Sequence, residues 1–146
     1  MDTHLYFAYG SNMDEEQMNG RCPGARKVGI AKLNAYRFII NSRGVASVVP
    51  DRKHTVHGVL WEISGDNAAA LDSYEGVKHN FYHRVHVKVV LEELNEWLIV
   101  LMYIAADGTP GMPRSDYLEK IVCAAEKHYI DKEYIEELKG WGDCKL

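Results

Sequence analysis

The sequence predicts an α+β fold in which several strands close or curl strongly, with helices near the middle and the end of the chain. Short apolar or alternating segments recur from Leu5 to Ile104, as expected for β-strands. An alanine-rich segment lies among them, and apolar residues adopt a helical spacing after Ser115. The sequence contains neither an internal repeat nor a linker, so residues 1–146 are expected to form a single domain.

Composition and charge argue against two classes of partner. The formal net charge is −4, and 17 Lys and Arg residues are interleaved with 21 Asp and Glu residues. A nucleic-acid partner usually requires a clustered basic face, so none is expected. Apolar runs stay below the roughly 20 residues that span a bilayer. The first four residues lack a secretion signal, so we expect a cytoplasmic protein that does not enter a membrane.

The three cysteines are widely spaced and odd in number. Cys22, Cys123 and Cys144 form no Cys-x-x-Cys pair, so the sequence supports neither a zinc knuckle nor a thioredoxin-like motif. All three are expected to be reduced. Cys144 is expected in a loose tail, where its thiol would be open to reaction.

The first third of the chain is predicted to be mainly strands. Residues 5–9 predict a buried strand, which the Gly-Ser-Asn segment at residues 10–12 breaks. A short helix over residues 13–18 and a loop over residues 20–24 follow. Apolar runs then predict four more strands, over residues 28–33, 36–40, 45–49 and 56–63.

A turn and a helix interrupt this series of strands. Pro50 and Asp51 predict a turn between the last two of them. The Ser64-Gly65-Asp66 segment ends the preceding strand and offers an N-cap for a helix over residues 67–74, and Gly76 is placed to end that helix.

A hairpin is predicted next. Residues 81–91 alternate between apolar and polar side chains, which places Val85, Val87 and Val89 on one face and Arg84, His86 and Lys88 on the other. A polar turn over residues 92–96 leads into an apolar strand over residues 97–104.

The end of the chain is predicted to be helical. A loop over residues 107–113 is dense in Gly and Pro. The helix after it carries an apolar stripe of Leu118, Ile121, Val122 and Ala125. Asp131 is placed to cap a last helix, with Tyr134, Ile135 and Leu138 on its apolar face and Gly140 and Gly142 at its end.

The bend after the first strand is a candidate anion site. Gly10 has no side chain, so a ligand can approach the backbone there. Asn12 is placed to cap the short helix, with Glu15 completing a capping box. The amides at such a helix start suit a carboxylate or a developing oxyanion. The alternative is a capped turn without a ligand.

Glu75 is the candidate acid–base residue. It is the last residue before the glycine that ends the middle helix, where the negative end of the helix dipole disfavours its ionisation. Burial would act in the same direction, and a raised proton affinity suits proton transfer near neutral pH. The alternatives are a solvated surface glutamate and a competing carboxylate, Asp72, on nearly the same helix face.

Other kinds of chemistry find little support. His79, His83 and His86 are close in sequence, but the last two point to opposite faces of the predicted strand, so no metal site is expected. Ser11 and Ser115 have no evident His/Asp relay. The glycine-rich phosphate motifs G-x-x-x-x-G-K-S/T and G-x-G-x-x-G do not occur.

Several segments in this order resemble the γ-glutamylcyclotransferase-like family. The first is Tyr-Phe-Ala-Tyr-Gly-Ser-Asn-Met at residues 6–13, followed by Val-His-Gly-Val-Leu-Trp at 56–61 and Leu-Asp-Ser-Tyr-Glu-Gly-Val at 71–77. Tyr82, Arg84 and the Pro-Arg-Ser-Asp-Tyr-Leu segment at 113–118 complete the pattern. The resemblance extends from the first strand to about Leu138. Ala124 and Asp131 depart from it, at positions where members often carry glycine and proline.

The resemblance implies a small mixed β-barrel flanked by helices, with Glu75 as the catalytic acid–base and no metal or cofactor. It implies a substrate pocket formed by Tyr6, Phe7, Ala8, Tyr9, Gly10, Ser11, Asn12, Tyr82 and Tyr117. The related glutathione-degrading branch carries leucine where this chain has Asn12, which argues against that branch.

The activity implied is cyclisation of a γ-glutamyl group to 5-oxoproline with release of an amine or amino acid. The alternatives are a non-catalytic protein of the same fold that binds a small carboxylate, a structural interaction domain, and a hydrolase that uses Asp72 and Glu75 as a pair. The sequence leaves open the leaving amine, whether the substrate is carrier-bound, and the oligomeric state. It also leaves open whether the Gly10 and Ser11 amides hold a carboxylate or an oxyanion.

Overall fold

A computed structural model describes residues 3–142. Five strands form a closed barrel in the order β1-β3-β2-β4-β5, and four helices accompany them. The strands are β1 (Thr3–Ala8), β2 (Arg26–Ile40), β3 (Ala46–Ser64), β4 (Tyr82–Leu91) and β5 (Glu96–Ala105). The helices are α1 (Glu15–Arg21), α2 (Gly65–Tyr74), α3 (Tyr117–Lys127) and α4 (Lys132–Gly140). The predicted mixed barrel flanked by helices is confirmed.

The first strand closes the barrel. It pairs antiparallel with β3, where Tyr6 lies opposite Trp61, and meets β5 in parallel at Tyr6 and Leu101. The remaining pairs are antiparallel, including the predicted β4–β5 hairpin. The bend at Gly10 comes directly after β1 and therefore lies at the end of the barrel where this strand ends.

The four strands predicted between residues 28 and 63 form two long strands. The turn predicted at Pro50 and Asp51 is wrong, because Pro50 continues β3 and pairs with Tyr36 of β2. The two strands lose register between Asn34 and Tyr36, and Ala35 there has a positive φ of 65°. A bulge thus accommodates the chain-breaking residues without reversing the chain.

The helix after the first bend begins later than predicted, and Asn12 does not cap it. Asp14 is the N-cap and accepts a hydrogen bond from the Gln17 amide, while a single 3-10 turn occupies Ser11–Met13. Asn12 is 3% exposed, and its side chain belongs to a buried polar network. The predicted capping box with Glu15 is therefore wrong. Gly20, predicted in a loop, lies within α1.

The middle helix follows the prediction closely. Ser64 caps α2 in a reciprocal capping box with Asn67. Gly76 adopts the left-handed conformation, with φ 64°, that ends a helix. Its α-carbon lies so close to the Phe81 ring that an added Cβ would be 2.6 Å from Cδ2. Glu75 is consequently fixed between the end of the helix and a tightly packed turn.

The last two helices cover the barrel with the predicted apolar faces. Leu118, Ile121 and Ala125 of α3 are buried, and Val122 is partly buried. Asp131 caps α4 by accepting from the Tyr134 amide, and Tyr134, Ile135 and Leu138 are buried as predicted.

Cys22 is buried and Cys123 is exposed, and both are free thiols. Cys144 lies outside the described residues. Over residues 3–142, no helix is long and apolar enough to cross a membrane.

Candidate active site

A cavity of about 300 Å³ lies beside the bend that follows β1. Its wall combines six tyrosines, three arginines, one carboxyl group and the bend itself. The tyrosines are Tyr6, Tyr9, Tyr74, Tyr82, Tyr103 and Tyr117. The charged residues are Arg21, Arg43, Arg114 and Glu75. Gly10, Ser11 and Asn12 contribute the bend, and Val45, Ala46 and Phe81 complete the wall.

Gly10 and Ser11 of the bend line this cavity. Gly10 and Ser11 accept hydrogen bonds from Met13 and Asp14 through their carbonyls. Within residues 3–142, the amide groups of Gly10 and Ser11 donate to no other backbone group. A Cβ added at Gly10 would lie 3.3 Å from the Ala46 Cβ, so the bend packs closely against the start of β3. The anion site predicted at this bend therefore does not depend on a cap by Asn12, and its binding of a ligand stays a prediction.

Two predicted pocket residues do not line the cavity. Phe7 is completely buried, and its ring packs over Gly58 of β3. Ala8 is 1% exposed, and its carbonyl oxygen lies against the same glycine. Successive side chains of a strand point to opposite faces, which directs Phe7 into the core and Tyr6 toward the cavity. The other predicted positions from Tyr6 to Asn12 line the wall.

Asn12 lies at the centre of a buried polar network. Its side-chain Oδ1 accepts from Gln17 Nε2 at 2.8 Å and from an Arg21 guanidinium nitrogen at 3.1 Å. Its Nδ2 therefore faces Tyr6 and Glu75, and donates to the Tyr6 hydroxyl at 2.9 Å and to Glu75 Oε1 at 3.4 Å.

Glu75 lies on the cavity wall and carries a perturbed carboxyl group. Burial raises its pKa from an ordinary value of 4.5 to about 7, and the positive charge of Arg21 partly opposes this increase. Its amide donates to the Leu71 carbonyl, which holds it at the C-cap of α2. A group of this proton affinity beside free amides is suited to proton transfer at neutral pH.

Tyr82 and Tyr117 both fix the backbone of Ala46. The Tyr82 hydroxyl donates to the Ala46 carbonyl at 2.6 Å, and the Tyr117 hydroxyl accepts from the Ala46 amide at 3.1 Å. Both tyrosines line the cavity, as the resemblance implied. The Tyr117 hydroxyl also forms a hydrogen bond with the side chain of Ser11 in the bend.

Asp72 is engaged away from the cavity. It forms a two-pronged ion pair with Arg84 and accepts from the Tyr103 hydroxyl at 2.6 Å. Tyr103 lines the cavity and Asp72 does not. The carboxylate pair required by the hydrolase hypothesis is therefore not formed in the cavity, and Asp72 instead orients Tyr103.

Three arginines of the wall have no role predicted from the sequence, although Arg114 belongs to the segment at residues 113–118 that carries the resemblance. Arg21 ends α1 and stacks over the Tyr74 ring, 4.7 Å from the ring centroid to the guanidinium carbon. Arg43 lies over the Phe81 ring at 4.0 Å. Arg114 donates from Nε to the Arg43 carbonyl at 2.9 Å. With three arginines and one carboxyl group, the wall is suitable for a negatively charged ligand.

The described residues contain no cluster of three or more His, Cys, Asp or Glu side chains that could hold a metal ion. The carboxyl group of the wall is suited to proton transfer, and its guanidinium groups are suited to stabilising negative charge.

Comparison with known proteins identifies relatives over nearly the whole chain. The model of the AIG2-like family matches residues 55–138. Human γ-glutamylcyclotransferase (Homo sapiens) is 32% identical over 150 residues, which cover 95% of this chain and 79% of that protein. AIG2-like protein A of Arabidopsis thaliana is 33% identical over 148 residues, covering 99% of this chain and 85% of that protein.

Solved structures support the same relationship. A γ-glutamyl cyclotransferase matches with a TM-score of 0.88 at 29% identity, covering 94% of this chain and 87% of that one. A yeast γ-glutamyl cyclotransferase specific to glutathione matches with a TM-score of 0.64 at 14% identity, covering 98% of this chain and 96% of that one. This second match shows a shared fold alone.

Proposed function

The chain belongs to the AIG2-like family and is related to γ-glutamylcyclotransferases over 95% of its length, and we therefore propose that it is a γ-glutamyl cyclotransferase. It takes a small molecule carrying a γ-glutamyl group, closes that group to 5-oxoproline and releases an amine or amino acid. The resemblance drawn from the sequence is confirmed by these relatives.

The observation that carries the proposal is the position and proton affinity of Glu75. Its carboxyl group shares a cavity with the free amides of Gly10 and Ser11, and burial raises its pKa to about 7. An ordinary surface glutamate would be almost fully ionised at neutral pH and a weak base. Glu75 can instead accept a proton and return it within one catalytic cycle.

We assign the proton transfers as follows. The unprotonated α-amino group of the γ-glutamyl unit attacks the γ-carbonyl carbon of the same molecule and closes a five-membered lactam ring. Glu75 takes one proton from the attacking nitrogen as this bond forms, which leaves the single N–H of the lactam. Protonated Glu75 then gives its proton to the leaving nitrogen as the bond between that nitrogen and the carbonyl carbon breaks. Atoms and charge balance without a cofactor or a second substrate.

The substrate has two negatively charged groups during the reaction, and we assign a different hydrogen-bond donor to each. The charge on the γ-carbonyl oxygen is transient, and the uncharged amides of Gly10 and Ser11 are suited to it because their dipoles are fixed before the reaction. The α-carboxylate of the γ-glutamyl unit is permanently charged, and we assign it to Arg21, whose guanidinium group already contacts Asn12.

The site has to lower the activation barrier of an intramolecular reaction, and a few contributions can supply this. Attack is intramolecular, so holding the folded conformer of the substrate supplies much of the rate enhancement. Removing one oxyanion donor typically costs about 3 kcal/mol of barrier stabilisation. A positioned acid–base residue contributes roughly 10²–10⁴-fold in rate.

Product identification tests this proposal. The purified protein is incubated with a panel of γ-glutamyl amino acids and γ-glutamyl amines, and the products are identified by mass spectrometry. We expect 5-oxoproline together with the free amine. Free glutamate would instead identify a hydrolase, and a bound substrate that stays intact would identify a binding protein.

A further inference from the structure

Two ring N–H groups hold consecutive carbonyls of the 3-10 turn at Ser11–Met13, which continues the bend. Trp61 of β3 donates from Nε1 to the Asn12 carbonyl at 3.0 Å. The Nε2 atom of His128, at the C-cap of α3, lies 2.7 Å from the Met13 carbonyl oxygen. The two donors are 49 and 115 residues away from their acceptors in the sequence. The conformation of this turn therefore depends on contacts that only the folded barrel and α3 provide.

The nitrogen of His128 that faces Met13 carries the proton. Burial lowers the pKa of His128, and the hydrogen bond to Met13 partly opposes this decrease, so the ring is neutral at neutral pH. A carbonyl oxygen can only accept a hydrogen bond, which makes Nε2 the donor. The His128 ring stands edge-to-face against Trp61, with centroids 6.1 Å apart. Met13 has no exposed surface, so loss of this donor would leave a buried carbonyl oxygen without it.

His128 lies outside the cavity that contains Glu75. It lines a separate cavity of about 470 Å³ together with Met13. Helix α3 thus contacts the bend region near both of its ends, because the Tyr117 hydroxyl forms a hydrogen bond with the Ser11 side chain. Tyr117 lines the cavity of Glu75, whereas His128 reaches that cavity through the backbone of the turn.

We infer that His128 is a positioning residue of the active site, which acts by holding the Met13 carbonyl. This inference rests on the proposed function. Met13 follows Asn12, whose side-chain Nδ2 lies 3.4 Å from Glu75 Oε1. A shift of the Met13 carbonyl therefore moves Asn12 relative to the carboxyl group. Misplacement of a catalytic arrangement by about 1 Å can lower a rate by roughly 10²-fold.

A matched pair of substitutions tests the inference. His128→Gln and His128→Met introduce side chains of nearly the same length and volume, but only glutamine can donate to the Met13 carbonyl. With γ-glutamyl-alanine as substrate, His128→Met should lower kcat by about tenfold, the equivalent of one hydrogen bond. KM should change by less than about threefold, because the loss affects the transition state more than substrate binding. His128→Gln should keep kcat within about threefold of the wild-type value.

Ile135→Val controls for an effect of lost stability on turnover. Ile135 is buried on α4 and lies outside the cavity that contains Glu75. The variant loses one buried methylene group and is destabilised without a change at the bend, so it should keep the wild-type kcat. A wild-type kcat in His128→Met would overturn the inference. An equal loss of kcat in His128→Gln or in Ile135→Val would overturn it too, since His128 would then have only a structural role.

Two further measurements do not depend on turnover. Heteronuclear NMR of the wild-type protein should find the His128 proton on Nε2, and the Nδ1 tautomer would overturn the inference even if His128→Met does not fold. The amides of Met13 and Asp14, which donate to the carbonyls of Gly10 and Ser11, should exchange hydrogen faster in His128→Met than in His128→Gln. Equal exchange rates would overturn the inference. Faster exchange that glutamine restores, in a protein that releases no 5-oxoproline, would support the positioning by His128 and refute the proposed function.

Discussion

The side-chain amide of Asn12 faces the carboxyl group of Glu75, with Nδ2 3.4 Å from Oε1. The orientation of that amide is fixed, because Gln17 and Arg21 both donate to its Oδ1. Trp61 also donates to the Asn12 carbonyl at 3.0 Å, which anchors the backbone. Asn12 thus connects the bend after β1 to the end of α2. Its side-chain amide gives the buried Glu75 carboxyl group a hydrogen-bond donor in place of water.

Asn12→Asp should alter the proton affinity of Glu75. An aspartate of nearly the same shape cannot donate to Glu75 or to Tyr6, and its negative charge disfavours ionisation of Glu75. Both changes raise the pKa of Glu75, so the rise of kcat/KM with pH, expected near pH 7 in the wild type, should move to higher pH. The measurement is a pH profile of 5-oxoproline release.

Asn19→Asp provides the control for this substitution. Asn19 is exposed on α1 and lies outside the cavity, so the variant adds a negative charge nearby without contacting Glu75. Its profile should match that of the wild type. An unshifted profile for Asn12→Asp would mean that Asn12 does not influence the ionisation on which activity depends.

Ionisation of the buried Glu75 should lower the free energy of unfolding as the pH rises. Its pKa is raised by burial to about 7 in the folded protein, against an ordinary value of 4.5. Between these values the folded state binds more protons than the unfolded state, so the free energy of unfolding falls with increasing pH. The shift corresponds to at most roughly 3 kcal/mol, lost between about pH 4.5 and 7.

Glu75→Gln isolates this contribution, because glutamine does not titrate. The difference in unfolding free energy between wild type and variant, measured by urea denaturation across this pH range, should shift in favour of the variant as pH increases. A difference that stays constant from about pH 4.5 to 8 would show that Glu75 has an unperturbed carboxyl group.

The close packing of β1 against β3 at Gly58 can be tested by substitution. A Cβ at this position would lie 2.4 Å from the Ala8 carbonyl oxygen and 2.8 Å from the Phe7 ring. Gly58→Ala should destabilise the protein by about 1–3 kcal/mol, as overpacking does. Gly20→Ala is the control, because nothing lies within 4 Å of its added Cβ and it is helical. It should stabilise by about 0.5–1 kcal/mol, and a neutral Gly58→Ala would contradict the packing described.

The sequence was most informative where a local rule determines structure. Ser64 and Gly76 delimit α2 through capping and a left-handed turn, which placed Glu75 correctly at the end of the helix. Alternation in β4 likewise predicted which side chains face the barrel. Strand pairing, however, overrides the local turn preference of Pro50, which pairs with Tyr36 next to the loss of register at Ala35.

The charge of the cavity could not be predicted in the same way. Arg21, Arg43 and Arg114 lie at the end of a helix, in a hairpin turn and in a loop, and only closure of the barrel brings them to one wall. The residues around Asn12 predict that it caps the helix. Asn12 is instead buried, and its side-chain amide forms hydrogen bonds with Tyr6, Gln17 and Arg21. The more exposed Asp14 caps the helix.

Proton transfer by Glu75 is tested most sharply by the rate of 5-oxoproline release from saturating γ-glutamyl-alanine by Glu75→Gln. The amide cannot carry a proton, so we predict a loss of at least about 10²-fold in kcat with the fold retained. Glu93→Gln, at an exposed turn between β4 and β5, should keep the wild-type rate. Release of 5-oxoproline by Glu75→Gln at the wild-type rate would contradict the assignment of Glu75 as the acid–base residue.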